Sequence, residues 1–246
     1  MSSPVNVAFE TNGSGYMGFL CEYPSAFVRG KTLDEALSKV EHEVKIFKKW
    51  LGMDIEQDIV PKVVQIHKSS LKVEDADNEI LLNDDKEKMD IKEFEMLADL
   101  VTKSAKSTFD IFDNAKYKDW IDSDRDRATF YGHTPKTIRE IFEHIDSVQY
   151  YYLSRLNIDI PKEGRSFLEG RQICVEKIAS LFNKEGNSRI YSIDNEDWTV
   201  KKVLRRFIWH DRIHAKSMVK ILRKQKETEI IDSYSDPFYF FMEKGI

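Results

Sequence analysis

The sequence predicts a mixed chain of two domains: an α+β module over residues 1–70, a linker at 71–90, and an all-α four-helix bundle with a C-terminal tail over 91–246. Three observations predict it. Short apolar runs separated by Asn, Gly, Ser and Pro fill the first seventy residues, as strands and turns do. Four longer stretches follow with apolar residues at helical spacing, the pattern of helices that share a core. Between the two lies KSSLKVEDADNEILLNDDKEKMD, polar and acidic apart from the patch at Ile80–Leu82.

Taken in order, VNVAFE (5–10) and YMGFLCE (16–22) read as strands joined through TNGSG, and AFVRG after Pro24 reads as a third. Thr32 followed three residues later by Glu35 is a capping box that opens a helix. Leu33, Ala36, Leu37, Val40, Val44 and Phe47 continue it at helical spacing, and Gly52 ends it. IVPKVVQIH (59–67) is a further strand, which Pro61 restricts to a sheet edge or a strand start. The first helix of the second unit runs from Ile91 to Ala115, through Phe94, Leu97, Val101, Ala105 and Phe112. A loop at 117–133 crosses to a second helix, expected to open with Thr134 as N-cap and Pro135 at its first position. The third spans Ser166 to Asn183 and the fourth Asp197 to Leu222. The aromatic tail SDPFYFFMEKGI is expected to pack back on the body.

Composition narrows the function classes. A net charge of −5 and a pI near 5.8 argue against bulk electrostatic attraction to nucleic acid. No apolar run approaches a membrane span, and MSSPVNVAFE lacks the basic and apolar regions of a secretory signal. The two cysteines, Cys21 and Cys174, suggest no disulfide framework. Together these features predict a cytoplasmic protein.

The fourth helix carries the chemistry. His210 and His214 stand four apart, so their Cβ atoms are stacked on one helix face about 5–6 Å apart. Both fall at or beside the apolar seam of Val203, Phe207, Met218 and Ile221. Two imidazoles so placed can share one divalent metal, which needs at least one more ligand from elsewhere in the fold.

Two resemblances extend this reading. GYMGFLCEYPSAFVRGKTLDEALSKVEHEV resembles the HicB-like antitoxin module, through Gly30, Thr32, Glu35 and Ala36 in the order G-x-T-x-x-E-A. It departs where Ser25 follows Pro24, a place usually held by glycine. No helix-turn-helix or basic arm accompanies it, so DNA binding is not carried over. Residues 90–225 resemble the DinB/YfiT-like bundle family, through TPKTIREIFEHI and WTVKKVLRRFIWHDRIHAK. That resemblance implies His144, His210 and His214 as ligands of a divalent metal, nickel or zinc, with positions left open for water or substrate. It further implies thiol-dependent transfer or isomerisation, with a low-molecular-weight thiol, or hydrolysis by a metal-bound water. The substrate is an unidentified small molecule, and the family implies a homodimer. A different class of function is a non-catalytic stress-response or interaction module in which the HicB-like part mediates association.

The remaining candidates have plainer readings. His42, His67 and His133 have no partner histidine and are expected on surfaces or loops. Asp146 and Asp211 lie near the ligands in sequence, but their helix faces do not mark them as partners of the imidazoles. Trp198 and Trp209 are expected as core or rim anchors, and Cys174 as a buried filler. The KKVLRR run is expected to be a solvated helix face, with Arg205 and Arg206 turned to solvent or a carboxylate; the alternative is an arginine near the pocket mouth that holds an acidic substrate.

Overall fold

The computed structural model describes residues 3–55, 58–69, 80–129, 132–161 and 164–241. It opens with strands β1 (Ser3–Thr11), β2 (Tyr16–Leu20) and β3 (Phe27–Gly30), and β4 (Ile59–Lys68) completes one sheet of order β3-β2-β1-β4. β1 pairs antiparallel with β2 and parallel with β4. A parallel pair needs a long crossover, supplied by helices α1 (Leu33–Leu37) and α2 (Val40–Leu51). β4 lies at the edge, where Pro61 leaves no ladder position unfilled on a neighbouring strand.

Residue alternation assigns the two faces of the sheet. Val5, Val7, Phe9, Leu20 and Val28 pack with Val40, Val44 and Phe47 of α2. Ala8, Met17, Phe19 and Phe27 turn the other way, onto Ile80, Leu82 and Trp209. β1, β2 and β3 are therefore covered on both sides, whereas on the edge strand β4 Val60, Val64 and Ile66 are exposed. The predicted single helix at 32–52 is broken in two. Thr32 Oγ1 accepts from the Glu35 backbone N–H at 3.1 Å, but the Glu35 carboxylate turns to the Lys31 N–H and the Lys39 ammonium. α1 then ends, and α2 stops at Gly52, whose φ of 71° is the left-handed conformation glycine takes without strain.

Four long helices follow: α3 (Ile91–Asn114), α4 (Ile138–Ser154), α5 (Phe167–Glu185) and α6 (Val200–Glu227). α3 and α4 each touch both α5 and α6. Side-chain caps start all four, from Asp90, Thr137, Ser166 and Thr199, and Thr137 and Ser166 complete capping boxes with Glu140 and Glu169. The expected start of α4 is thereby corrected. Thr134 and Pro135 precede the helix, and Thr137, which has a Glu three residues on, satisfies its first N–H groups. Between α5 and α6 lies a hairpin the sequence reading did not predict, β7 (Tyr191–Ile193) and β8 (Glu196–Trp198). Asp194 and Asn195 turn it with φ of 55° and 64°, the paired positive angles of a tight hairpin turn. A second small hairpin, β5 (Ala128–Thr129) with β6 (Gly132–His133), lies in the loop before α4. Mixed α+β architecture is what the structure shows.

The larger correction concerns α6. From Val200 to Arg212 every residue is buried, including Lys201, Lys202, Arg205, Arg206 and Arg212. KKVLRR is not a solvated face, because the sheet covers one side of this helix and α3 and α4 cover the others. Lys201 binds Asp84 and Glu93, Arg205 binds Asp85, and Arg212 binds Glu43. Asp85 stands on a single 3₁₀ turn (Asp84–Lys86), and its backbone carbonyl accepts from Asn187 and Thr199. The apolar patch of the acidic segment is buried too, with Ile80 at 0% and Leu82 at 2% exposure. From the tail, Phe238 packs on Trp50 with ring centroids 5.1 Å apart. No helix among the described residues is long and apolar enough to cross a membrane.

Candidate metal centre

His144 lies on α4 beside the core stripe of Ile138, Ile141, Ile145 and Tyr152, on the flank that meets α6. His210 and His214 lie on α6, one turn apart. The structure brings all three together: one ligand atom from each falls within 4.8 Å of the others. His210 Nε2 is 3.1 Å from His144 Nε2. Ring centroids are 4.9 Å apart for His144 and His210, 4.6 Å for His144 and His214, and 4.3 Å for His210 and His214. Among the described residues this is the group of histidine, cysteine and carboxylate side chains that could hold an ion.

The fit to a cation can be tested on these distances. A metal about 2.0–2.1 Å from two imidazole nitrogens holds those nitrogens roughly 2.9–3.4 Å apart in tetrahedral or octahedral geometry. The His144–His210 separation lies inside that window; His214 brings its ligand atom within 4.8 Å of the other two. Two neutral imidazoles facing each other through Nε2 must otherwise share one proton between them, since each nitrogen offers either a donor or a lone pair.

The electrostatics agree with ligand duty. Burial pushes the His210 pKa well below the ordinary value, and the charges of His214, His144, Arg206 and Arg171 add to the effect. Burial does the same to His214, reinforced by His144, Arg125, Arg29 and Arg206. His144 is shifted down by burial alone. All three are held neutral, the form that binds a metal.

The surroundings explain why the rings stand where they do. Tyr152, fully buried two turns after His144, sets its ring edge-on to His210 at 5.8 Å and to Phe207 at 5.1 Å. Arg206, one turn before His210, lies over Trp209 at 4.7 Å and faces Glu10 across the core, and burial pulls its pKa down to about 9. Asp211 is turned away from the imidazoles: it accepts two hydrogen bonds from Arg171, at 2.6 and 2.9 Å, and one from Ser104 at 2.6 Å. Asp146 accepts from Gln149 and Arg165. Each acid lies within two residues of one of the three histidines and serves a different contact.

Sequence reasoning missed Tyr152 as a neighbour of the site, and Arg29 and Arg125, whose charges act on His214 from a strand and a loop. Only Tyr152 carried a signal, its place on the stripe of α4 two turns beyond His144. Trp198 and Trp209 are buried, at 0% and 3% exposure, and Trp209 joins the sheet to α6 through Phe19 and Phe27. Cys174 is fully buried, and burial raises its thiol to about 11. His42 and His133 are exposed and His67 is half-buried on β4, all apart from the centre. No family model, no curated protein and no solved structure matches the chain.

Proposed function

We propose that His144, His210 and His214 hold one divalent metal, nickel or zinc, and that the protein is a metal-dependent enzyme acting on a small molecule. On this reading α3 to α6 form a four-helix bundle of the DinB/YfiT type, and residues 1–70 are a HicB-like module joined to it as a second domain. The observation that carries the proposal is the convergence of three neutral imidazoles from two helices within 4.8 Å. Three protein ligands leave at least one position open, the arrangement of catalytic rather than structural sites. When bound, such a cation supplies Lewis acidity, which polarises a carbonyl or makes a water or thiol acidic near neutral pH. The chain's own residues do the rest. Burial keeps the imidazoles unprotonated, and Tyr152 and Phe207 wall the inner side of His210 against water. The resemblance adds thiol-dependent transfer or isomerisation, or hydrolysis, as the reaction classes.

Metal analysis of the purified full-length chain tests the site. Wild type should carry about one divalent ion per chain, and His144→Ala and His210→Ala should each lose it. Equal, substoichiometric metal in all three proteins would sink the assignment and leave the non-catalytic interaction module as the better account. With metal in place, a screen of low-molecular-weight thiols for transfer activity then separates the reaction classes.

A further inference from the structure

A cavity of about 550 Å³ lies where the edge strand β4, the turn after β2, the 3₁₀ turn, α3 and α6 meet. None of the three histidines lines it. Its volume falls within the range of small-molecule sites, roughly 300–1,000 Å³. Part of the lining is apolar and open: Val64 of β4 and Met96 of α3 are 43% and 47% exposed, large values for such side chains. The rest is charged, with the carboxylates of Glu22, Asp84, Glu87 and Glu93 against two cations, Lys201 and Arg205.

Both cations already have acids. Lys201 Nζ is 2.8 Å from Asp84 and 2.5 Å from Glu93. Arg205 donates through Nε and Nη2 to the two oxygens of Asp85, at 3.0 and 2.5 Å. Glu22 and Glu87 are left over. Among the described residues the Glu22 carboxylate accepts from Asn6 alone, through its backbone N–H and side-chain amide, and the Glu87 carboxylate meets no cation. The same wall holds a donor without an acceptor. Arg205 is 6% exposed, and Nη1, the nitrogen not used by Asp85, has no hydrogen-bond partner. A buried donor left unmet is costly, and a ligand oxygen in the cavity would meet it. A bare metal ion answers neither feature: among the described residues only the three histidines bring ligand atoms close enough to hold one. Cys21, also in the lining, takes no covalent part, because burial, with Glu22 beside it, raises its thiol to about 11.

We propose that this cavity binds a free basic amino acid of the lysine type, an α-amino acid whose aliphatic side chain ends in an ammonium. Its carboxylate accepts from Arg205 Nη1, its two ammonium groups are held by Glu22 and Glu87, and its methylenes cover Val64 and Met96. Each polar contact joins a charged donor to a charged acceptor, which makes it about twice as strong as a neutral hydrogen bond. The site is separate from the histidine centre and does not depend on the metal reading.

Calorimetry on metal-free, full-length protein tests the assignment. Lysine is titrated beside 1,5-diaminopentane, which lacks the carboxylate, and norleucine, which lacks the side-chain ammonium. Lysine should bind, and each analogue should bind about tenfold more weakly or worse, having lost one charge-assisted contact. Arg205 holds a buried acid, so its part is read from the ligand rather than by replacing it. Glu87→Gln and Met96→Lys alter exposed side chains and should leave the circular dichroism unchanged. The first should weaken lysine about tenfold, and the second, which sets an ammonium in the cavity, should abolish binding. Glu176→Gln on α5, outside the lining, and His210→Ala should bind lysine as wild type does. The proposal is overturned if wild type fails to bind lysine at millimolar concentration, if either analogue binds as tightly, or if Met96→Lys binds as wild type does. An equal loss in Glu176→Gln reduces the effect to the general attraction of an acidic chain for a cation. A loss in His210→Ala moves the ligand to the histidine centre, and either result removes the cavity site.

Discussion

Removing the negative charge from Asp211 should be among the most damaging single changes in the chain. Asp211 and Arg171 are 0% and 2% exposed, and the pair joins α6 to α5 through two hydrogen bonds. Ser104 of α3 adds a third bond to the same carboxylate, and Arg171 also donates to the Gln149 side chain and the Val101 carbonyl. Asp211→Asn keeps the shape and leaves a guanidinium buried without its counter-charge, a loss of about 3–5 kcal/mol. A chain of 246 residues unfolds with an entropy of about 0.5 kcal/mol/K, so that loss lowers the melting temperature by roughly 6–10 °C. Replacing both partners, Arg171→Met with Asp211→Leu, should recover most of it, because no isolated charge remains. Gln149 Oε1 would then lack that donor, a residual loss of about 1 kcal/mol, while the single hydroxyl proton of Ser104, released by Asp211, is free to donate to the Val101 carbonyl. Urea unfolding followed by circular dichroism, run as a double-mutant cycle, measures each step. If Asp211→Asn loses under about 1 kcal/mol, or the double variant loses the sum of the singles, the pair is not the desolvated clamp argued here.

Two further outcomes follow from the same structure. The metal-free protein should weaken in acid: burial depresses the pKa of His210 and His214, so below their ordinary value of about 6.5 the unfolded chain takes up protons that the fold refuses. Between pH 7.5 and 5.5 that difference is about 1.4 kcal/mol for each imidazole still neutral in the fold, nearly 3 for the two together, and the urea midpoints of wild type should separate with pH more than those of a His210→Ala, His214→Ala double variant; equal pH slopes would refute the assignment. Gly30→Ala should lose about 1–3 kcal/mol by overpacking, since an added Cβ would stand 2.5 Å from the Ala36 nitrogen and 2.7 Å from the Thr32 carbonyl oxygen, backbone atoms that have little freedom to move; an unchanged urea midpoint would show that the turn between β3 and α1 can open without loss.

What could be read from the sequence was what depends on neighbours along the chain. Strand alternation at Val5, Val7 and Phe9 and the four-residue spacing of His210 and His214 are local; the caps at Asp90, Ser166 and Thr199 are local too but were not read, and Asp197, expected to open the fourth helix, lies in β8. The close approach at Gly30 is local as well, since both atoms it would strike lie within six residues. The start of α4 was misplaced because Thr134-Pro135 and Thr137 both resemble helix openings, and only the Glu140 side chain, returning to the backbone of Lys136 and Thr137, decides between them. The burial of the α6 charges was missed for a different reason, although Arg205 does meet a carboxylate, as one of its two expected settings. Asp85 lies 120 residues from Arg205 and Glu43 lies 169 from Arg212. No periodicity within the helix can announce such partners. An amphipathic stripe implies a solvent face only when one side of the helix is free, and α6 has none along its first half.

That enclosure accounts for the position of the histidines. Four consecutive residues of α6 hold four different parts of the fold. Trp209 packs on Phe19 and Phe27 of the sheet, and His210 meets His144 of α4. Asp211 binds Arg171 of α5 and Ser104 of α3, and Arg212 binds Glu43 of α2 while lying over Phe238 and Phe240 of the tail. Successive helical residues point about 100° apart, so four in a row sample the full circumference. Any rotation of α6 that carried His210 away from His144 would unseat a buried tryptophan on one side and two buried ion pairs on the others. The imidazoles therefore need no hydrogen-bonded carboxylate of their own to fix their approach, because the helix that bears two of them is itself fixed from every side. A site placed this way keeps its geometry with or without an ion, the condition under which a metal can be bound with a coordination position left open.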